Sequence, residues 1–133
     1  MKPFRLTIIA PDKTFFDGET TQIIVRTTEG DVGVLASHSN FVANLPSGPI
    51  KVKQEDGSFR IAAISNGMLS VNQGEVSVLA TAIEWADEID LERAKHSEED
   101  ARNRLKKSQS SMDIDKATLK LKRALNRIGV AKK

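Results

Sequence analysis

Glycine and proline are concentrated in the first part of this sequence, and their distribution limits what the chain can fold into. All four prolines lie before residue 50, and seven of the eight glycines lie before residue 75. Both residue types disfavour helix interiors, because proline lacks an amide hydrogen and glycine loses the most backbone entropy. We therefore expect short strands and turns first and long helices afterwards. The boundary is predicted near Trp85–Asp87, giving domains of residues 1–86 and 87–133.

Residues 1–86 have the alternation and the turn signals of a β protein. Pro49–Lys53 alternates polar and apolar side chains, which is typical of a half-buried strand. Pairs that favour turns recur between the apolar runs, at Asp17-Gly18, Glu29-Gly30, Asp56-Gly57, Asn66-Gly67 and Gln73-Gly74. Because open sheet edges promote aggregation, strands at this spacing favour a sandwich or a barrel-like pair of sheets.

Residues 87–133 have the pattern of two helices joined by a polar loop. The first helix is predicted from about Asp90 to Lys107, with Asp90 as its N-cap. Acidic residues come early in this helix and basic residues late, an order that complements the helix dipole. The loop is predicted at Ser108–Ser111.

The second helix is predicted to end near Ile128, with Gly129 as its stop. Ser110 and Asp113 form an approximate capping box at its start. Both helices have narrow apolar stripes at helical spacing, which predicts an antiparallel hairpin of marginal stability. The stripe residues are Leu91, Ala94, Ala101 and Leu105 on the first helix, and Ile114, Ala117, Leu121, Ala124, Leu125 and Ile128 on the second.

Catalytic and metal-binding motifs are not found in the sequence. It has no cysteine, and its two histidines, His38 and His96, lie in different halves. No histidine pair has the spacing of a zinc site, and Gly30-x-x-Gly33 is too short for a phosphate-binding loop. No stretch approaches the roughly 20 apolar residues of a membrane span. We predict neither catalytic residues, nor a metal site, nor direct membrane insertion.

A stripe of four cations is the most informative pattern in the second helix. Lys116, Lys120, Arg123 and Arg127 follow one another at spacings of four, three and four residues, and so share one helix face. Such a stripe is usually a solvated surface. Here it is nearly uninterrupted by acidic residues and lies beside the narrow apolar stripe. That combination favours docking onto an acidic surface or around a polyphosphate. We call these four residues the basic stripe.

A stand-alone adaptor that binds nucleic acid through this basic helix is the alternative function. Residues 87–133 contain 13 Lys/Arg and 9 Asp/Glu, which permits such binding. The chain has no tyrosine and one tryptophan, which argues against base stacking. A salt titration of nucleic-acid binding would test this alternative, because phosphate neutralisation produces a steep salt dependence.

Several segments, in order along the chain, resemble the epsilon subunits of bacterial F-type ATP synthases. Glu29–His38 resembles the early glycine-rich segment of that family, and Asn66–Ala80 resembles the strand pair that closes its sandwich. Ile89–Ala94 resembles its Ile/Leu-Asp-x-x-Arg-Ala motif, and Lys122–Arg127 resembles its last helix. Ala36-Ser37 and Asn66-Gly67 stand where the family usually has Pro-Gly and Gly-Gly.

The resemblance implies a sandwich of about ten strands followed by a helical hairpin. It implies a non-catalytic subunit of the central stalk, whose sandwich binds the gamma subunit and rests on the ring of c subunits. The hairpin would extend toward the beta and alpha subunits of the catalytic head and restrain ATP hydrolysis. The protein would then lie peripherally on the cytoplasmic face of the cell membrane, within a synthase that translocates protons or sodium ions.

Asp31 and His38 are the predicted rotor-contact residues, because both lie in or beside the glycine-rich segment. From the sequence alone, Asp31 is equally interpretable as a turn residue and His38 as a solvated loop histidine.

The resemblance also implies a regulatory ATP site in the compact hairpin that does not require magnesium. Arginine side chains suit phosphate oxygens, and the start of the first helix should meet the end of the second. Asp100 stands where ATP-binding relatives have a further arginine, so weaker binding is expected here. The residues carried over from the resemblance are Glu84, Ile89, Asp90, Arg93, Ala94, Arg123 and Arg127.

Overall fold

The computed structural model describes residues 2–107 and 110–131, so the predicted loop residues Ser108 and Gln109 lie outside the described part. The chain forms two compact units, Met1–Trp85 and Ala86–Lys133. The first unit consists of strands and the second of helices, which confirms the predicted fold class.

The first unit is a β-sandwich of two five-stranded sheets. One sheet has the strand order β2-β1-β9-β8-β5 and the other β10-β7-β6-β3-β4. β1 and β9 pair in parallel, whereas β8 and β9 form an antiparallel hairpin. The strands are β1 (Phe4–Ala10), β2 (Lys13–Thr20), β3 (Ile23–Thr27), β4 (Gly30–Val34), β5 (Phe41–Leu45), β6 (Gly48–Lys53), β7 (Phe59–Ile64), β8 (Gly67–Asn72), β9 (Glu75–Ala80) and β10 (Ile83–Trp85).

The sandwich core is built from the inward residues of alternating strands. Leu6, Ile8, Ile50 and Leu69 have no exposed surface, and each such side chain contributes about 1.5–3 kcal/mol by leaving water. At the end of β10, Trp85 lies 4.6 Å from the Phe15 ring. The core members extend from Phe4 to Trp85, so the core belongs to the first unit.

The second unit contains a short 3₁₀ helix (Ala86–Glu88), α1 (Leu91–Lys107) and α2 (Ser111–Ala131). Both predicted N-caps are confirmed. The Asp90 carboxylate accepts a hydrogen bond from the Arg93 amide at 3.1 Å, and the Ser110 hydroxyl accepts one from the Asp113 amide at 3.2 Å. Each cap satisfies an amide that has no partner within its helix.

The predicted stop at Gly129 is wrong, because α2 continues through this residue to Ala131. Val130, beyond the predicted end, is only 2% exposed. Burial of its side chain offsets the poor helix propensity of the preceding glycine, which is a contribution that local sequence signals do not contain.

The predicted apolar stripe of the second helix is wrong at two positions, since Ile114 and Leu125 are 44% and 42% exposed. Leu125 follows the buried Ala124, and adjacent residues point about 100° apart on a helix. Ile114 lies in the first turn of α2, beside the charged last turn of α1. The narrow contact between the helices therefore covers neither side chain.

Buried alanines form the seam of the hairpin. Ala94 and Ala101 on α1 are seven residues apart, as are Ala117 and Ala124 on α2, and all four are at most 3% exposed. Seven residues make almost two turns, so the small side chains form two successive layers. α1 and α2 pack against each other and, with residues 108–110 between them, run antiparallel.

Candidate functional site

An ion pair joins the two helices near the middle of the hairpin. Lys120 Nζ of α2 donates a hydrogen bond to Asp100 Oδ2 of α1, and Arg104 Nε lies 3.4 Å from the same oxygen. The hydrogen bond from Lys120, helped by the positive charges of Arg104 and Lys120, lowers the pKa of Asp100 against a smaller effect of desolvation. Sequence reasoning placed Asp100 near the phosphate site and did not pair it with Lys120.

The basic stripe is not a uniformly solvated face. Lys116 is exposed, Lys120 keeps 35% of its side-chain surface, and Arg123 and Arg127 are half-buried. The four side chains of the basic stripe therefore differ in how much of their surface is available to solvent or to a partner. Only Lys116 lies fully on the surface in this closed hairpin.

The ion pair also sets the register of the two helices. It therefore determines which residues lie opposite each other at the open end of the hairpin, where α1 begins and α2 ends. Arg93 precedes Asp100 by seven residues, and Arg127 follows Lys120 by seven. In antiparallel helices this puts the two arginines at the same level, about 10 Å from the ion pair.

The other predicted ATP contacts have varied surroundings. Asp90 caps α1, Ala94 has no exposed surface, and Ile89 is half-buried. Glu84 lies in β10 of the first unit, where it pairs with Ala63, whereas the remaining six residues belong to the second unit. Of the six residues in the second unit, Ile89, Asp90, Arg93 and Ala94 lie at or just before the start of α1, and Arg123 and Arg127 lie in the second half of α2.

A groove of about 400 Å³ lies at the opposite end of the hairpin. It has a mixed charge and is not the site at which ATP binding was predicted. Its lining among the described residues consists of Asp100, Asn103, Arg104, Lys107, Asp113, Lys116 and Ala117.

Of the two predicted rotor-contact residues, one lies in β4 and the other follows it. Asp31, the second residue of the strand, bonds Arg26 Nε at 3.1 Å, and both side chains remain about half exposed. His38 follows the strand in a turn closed by its amide and the Leu35 carbonyl. Its ring lies 4.6 Å from Phe41, and its Nδ1 lies 2.9 Å from the Ser39 carbonyl oxygen. Leu35 in this turn is 40% exposed.

An exposed apolar row crosses the outer face of the β2-β1-β9-β8-β5 sheet, and sequence reasoning missed it. Ile9 pairs with Leu79, and Leu79 pairs with Met68, so the three side chains are neighbours across β1, β9 and β8. They are 42%, 55% and 44% exposed, and Val42 on β5 is 65% exposed. We call these four residues the apolar row. Ile9, Leu79 and Met68 are contiguous, whereas Val42 lies opposite Ser70 and diagonal to Met68. Larger exposed apolar patches are typical of interaction sites, whereas single exposed residues are not.

Neither a metal site nor a membrane span is found within residues 2–107 and 110–131. No group of three or more His, Cys, Asp or Glu side chains there is arranged to hold a metal ion. No helix in the same residues combines the length and the apolar character needed to cross a membrane.

Both units match models of known protein families. Residues 3–86 match the model described as ATP synthase, Delta/Epsilon chain, beta-sandwich domain. Residues 87–132 match the model described as ATP synthase, Delta/Epsilon chain, long alpha-helix domain. The two matches meet between residues 86 and 87, one residue after the division between the compact units.

Individual relatives are similar over nearly their whole length. The ATP synthase epsilon chain of Ruminococcus albus is 46% identical, with 100% of this chain and 99% of the relative covered. That of Bacillus velezensis is 40% identical, with 98% of each covered. Among solved structures, a chain in the Euglena gracilis mitochondrial ATP synthase (OSCP/F1/c-ring, rotational state 1) has a TM-score of 0.79 at 28% identity, covering 91% of this chain and 76% of that one.

Proposed function

The chain belongs to the family of ATP synthase epsilon chains, and on that premise we propose how this subunit acts in the central stalk of an F-type ATP synthase. It is a non-catalytic subunit. Its sandwich attaches to the gamma subunit and the ring of c subunits, and its helical hairpin restrains ATP hydrolysis. The relatives are ATP synthase chains, which favours this function over the nucleic-acid adaptor.

The apolar row is the observation that carries the attachment to the gamma subunit. Ile9, Leu79, Met68 and Val42 lie in the sandwich and expose apolar surface on the outer face of one sheet. Covering that face with a partner would remove it from water, which contributes about 25 cal/mol per Å².

Binding of the gamma subunit tests this attachment. Leu79→Asp puts a carboxylate in the centre of the row, and we expect it to weaken gamma binding about tenfold or more, because the interface would bury an unpaired charge. The matched control is Glu75→Gln, which changes the charge at an exposed position of the same strand. Equal binding by the two variants would remove the apolar row from the interface.

Contact with the c ring is assigned to the end of the sandwich that bears the turn after β4. His38 and Leu35 lie in this turn, and Asp31 lies in the strand before it. The chain reaches the membrane only through this partner, on its cytoplasmic face. Substitution of Asp31 and His38 by alanine should lower coupling between rotor and membrane ring while leaving binding to gamma intact.

Restraint of hydrolysis is assigned to the hairpin. If the helices separate, residues 90–128 in one continuous helix span roughly 60 Å at about 1.5 Å per residue. That length would carry the basic stripe from the base of the stalk to acidic surface of the beta and alpha subunits. The small alanine seam supports such mobility, because four alanines bury little apolar area.

ATP is proposed as a regulatory ligand of the closed hairpin, bound without magnesium. Support comes from the level placement of Arg93 and Arg127, with Arg123 one turn before Arg127. A ligand that binds only the closed form stabilises it by about 2.7 kcal/mol at a hundred times its dissociation constant. Falling ATP would therefore favour the extended, inhibitory form.

Calorimetric titration with ATP in EDTA tests this site. Arg93→Ala should abolish the heat of binding. Asp90→Ser keeps an oxygen for the helix cap and removes the charge, so it separates a ligand contact from a capping role. No heat from the unsubstituted protein at millimolar ATP would exclude the regulatory site.

A further inference from the structure

Lys120 belongs to the basic stripe, yet in the closed hairpin it is already bound by an acid of its own chain. Its Nζ bonds Asp100 Oδ2 across the two helices, and Arg104 Nε lies 3.4 Å from that same oxygen. Asp100 and Lys120 are 20 residues apart in sequence, so the contact exists only while α1 and α2 pack together. The ion pairs Glu98–Arg102 and Asp100–Arg104 lie within α1 and survive separation of the helices.

The rest of the seam makes this one contact important. Ala94, Ala101, Ala117 and Ala124 are buried, and alanine side chains remove little area from water. Ile128 and Val130, near the end of α2, are the larger buried side chains among the described residues of this unit. Along the rest of the seam little apolar area is buried, so we expect the closed and the open hairpin to differ little in free energy. An ion pair that is specific to one state changes such an equilibrium even when its own contribution is modest.

We propose that Asp100 is an internal latch that holds the hairpin closed through Lys120. In the closed hairpin Asp100 pairs with Lys120, as an acidic surface of the catalytic head would in the extended form. One cation of the basic stripe is therefore not available for docking while the hairpin is closed. This inference rests on the mobile hairpin of the proposed function. It adds that closure does not depend on a bound anion alone.

A thiol probe measures the opening of the hairpin in the full chain. The protein has no cysteine, and Ala94 has no exposed surface, so Ala94→Cys introduces a single thiol in the seam. A thiol reagent modifies it only when the helices separate, and the labelling rate is proportional to the open fraction. In this background, Asp100→Asn and Lys120→Gln each remove one partner of the latch.

We expect Asp100→Asn to raise the labelling rate by a factor of about two to five at low salt, the range for a partly exposed ion pair. Lys120→Gln should have the same effect, and the double variant should be no faster than the faster single variant, because both changes remove the same contact between the helices. In 1 M NaCl the Ala94→Cys protein with Asp100 and Lys120 intact should be labelled almost as fast as the Asp100→Asn variant, since the charges are screened.

Glu99→Gln is the matched control, because it removes one negative charge from the exposed neighbouring position and should leave the rate unchanged. Equal rates for Asp100→Asn and Glu99→Gln would overturn the latch, as would additive effects of the two single variants. Ala117→Glu puts a charge into the seam and should open the hairpin in any case. If it does and Asp100→Asn does not, the latch alone is wrong; if neither variant opens the hairpin, the mobile hairpin is wrong as well.

Discussion

Thr20 is a buried polar residue of the sandwich, and its hydroxyl connects β2 to the end of β6. It is 4% exposed, and its Oγ1 donates a hydrogen bond to the Lys53 carbonyl at 2.7 Å and lies 3.4 Å from the Gln22 amide. Buried hydroxyls of this kind stabilise a fold mainly because losing them leaves their partners unsatisfied.

Thr20→Val keeps the shape of the side chain and removes the hydroxyl. We expect a loss of about 1–3 kcal/mol in the free energy of unfolding, measured by urea denaturation, because the Lys53 carbonyl and the Gln22 amide lose their partner. Thr20→Ser retains the oxygen and is the matched control. A valine variant as stable as the serine variant would show that water satisfies these groups.

Trp85 shows how one residue acquires its role from the fold. Its ring centroid lies 4.6 Å from that of Phe15, with the planes tilted, and 6.3 Å from that of Phe16, in an edge-to-face contact. The Arg60 guanidinium lies 4.0 Å from the Trp85 ring centroid. These partners come from β2 and β7, which are distant in sequence from β10. The sequence places Trp85 at the predicted domain boundary and predicts a packing role for it there, without naming its partners.

At the scale of single elements, α2 contains a glycine where the helix has no need of one. Gly129 lies inside the helix, and a Cβ atom added there would meet no heavy atom within 4 Å. Its backbone is helical, so alanine fits without strain.

Gly129→Ala should therefore raise the stability of α2 by up to about 1 kcal/mol, the difference in helix propensity between the two residues. Thermal unfolding followed by the helical circular dichroism signal measures the change. Gly74→Ala is the contrasting variant, since Gly74 has a φ of +83° and alanine there should destabilise the sandwich. A lower melting temperature for Gly129→Ala would indicate that this position requires glycine in another state of the hairpin.

We expect the four cations of the basic stripe on α2 to act as a set. A single exposed ion pair contributes about 0.2–1 kcal/mol, so the proposed docking to the catalytic head would require several cations together. Substituting Lys116, Lys120, Arg123 and Arg127 by alanine should relieve inhibition of ATP hydrolysis, most strongly at low salt.

Single substitutions in the latch also test the role of the basic stripe in inhibition. Lys120→Gln alone opens the hairpin and removes one docking cation, so its two effects on inhibition oppose each other. Asp100→Asn opens the hairpin and leaves all four cations, and it should therefore inhibit hydrolysis more than the unsubstituted protein does. Inhibition that persists in the four-alanine variant would remove the stripe from the mechanism.

At the scale of the whole molecule, the first unit contains its own core. The buried cluster extends from Phe4 to Trp85, and the apolar row lies on strands of the same unit.

A chain that ends after Ala86 should therefore fold alone and still bind the gamma subunit. Far-ultraviolet circular dichroism should give a β spectrum with a cooperative thermal transition, and affinity for gamma should stay within a few fold of the full chain. The same fragment with Leu79→Asp is the control for specific binding. An unfolded fragment, or a folded one that no longer binds gamma, would contradict either the domain boundary or the assignment of the attachment surface.

The order and type of the elements were determined by the sequence itself, because the signals are local. Glycine and proline mark the turns, alternation marks the strands, and Asp90 and Ser110 cap the two helices through bonds to residues three positions later. The fold class and the pairing of the two helices follow from these signals.

The functional proposals depend on the apolar row and on the latch, and both exist only because of the tertiary structure. The apolar row exists because β1 pairs in parallel with β9, which puts Ile9 beside Leu79 although 70 positions separate them. The latch exists because the antiparallel hairpin brings Asp100 to Lys120. Local patterns report which face of a strand or helix a residue occupies. Which residues of two elements become neighbours depends on the register in which distant segments pack, and that register is set by burial summed over the whole unit.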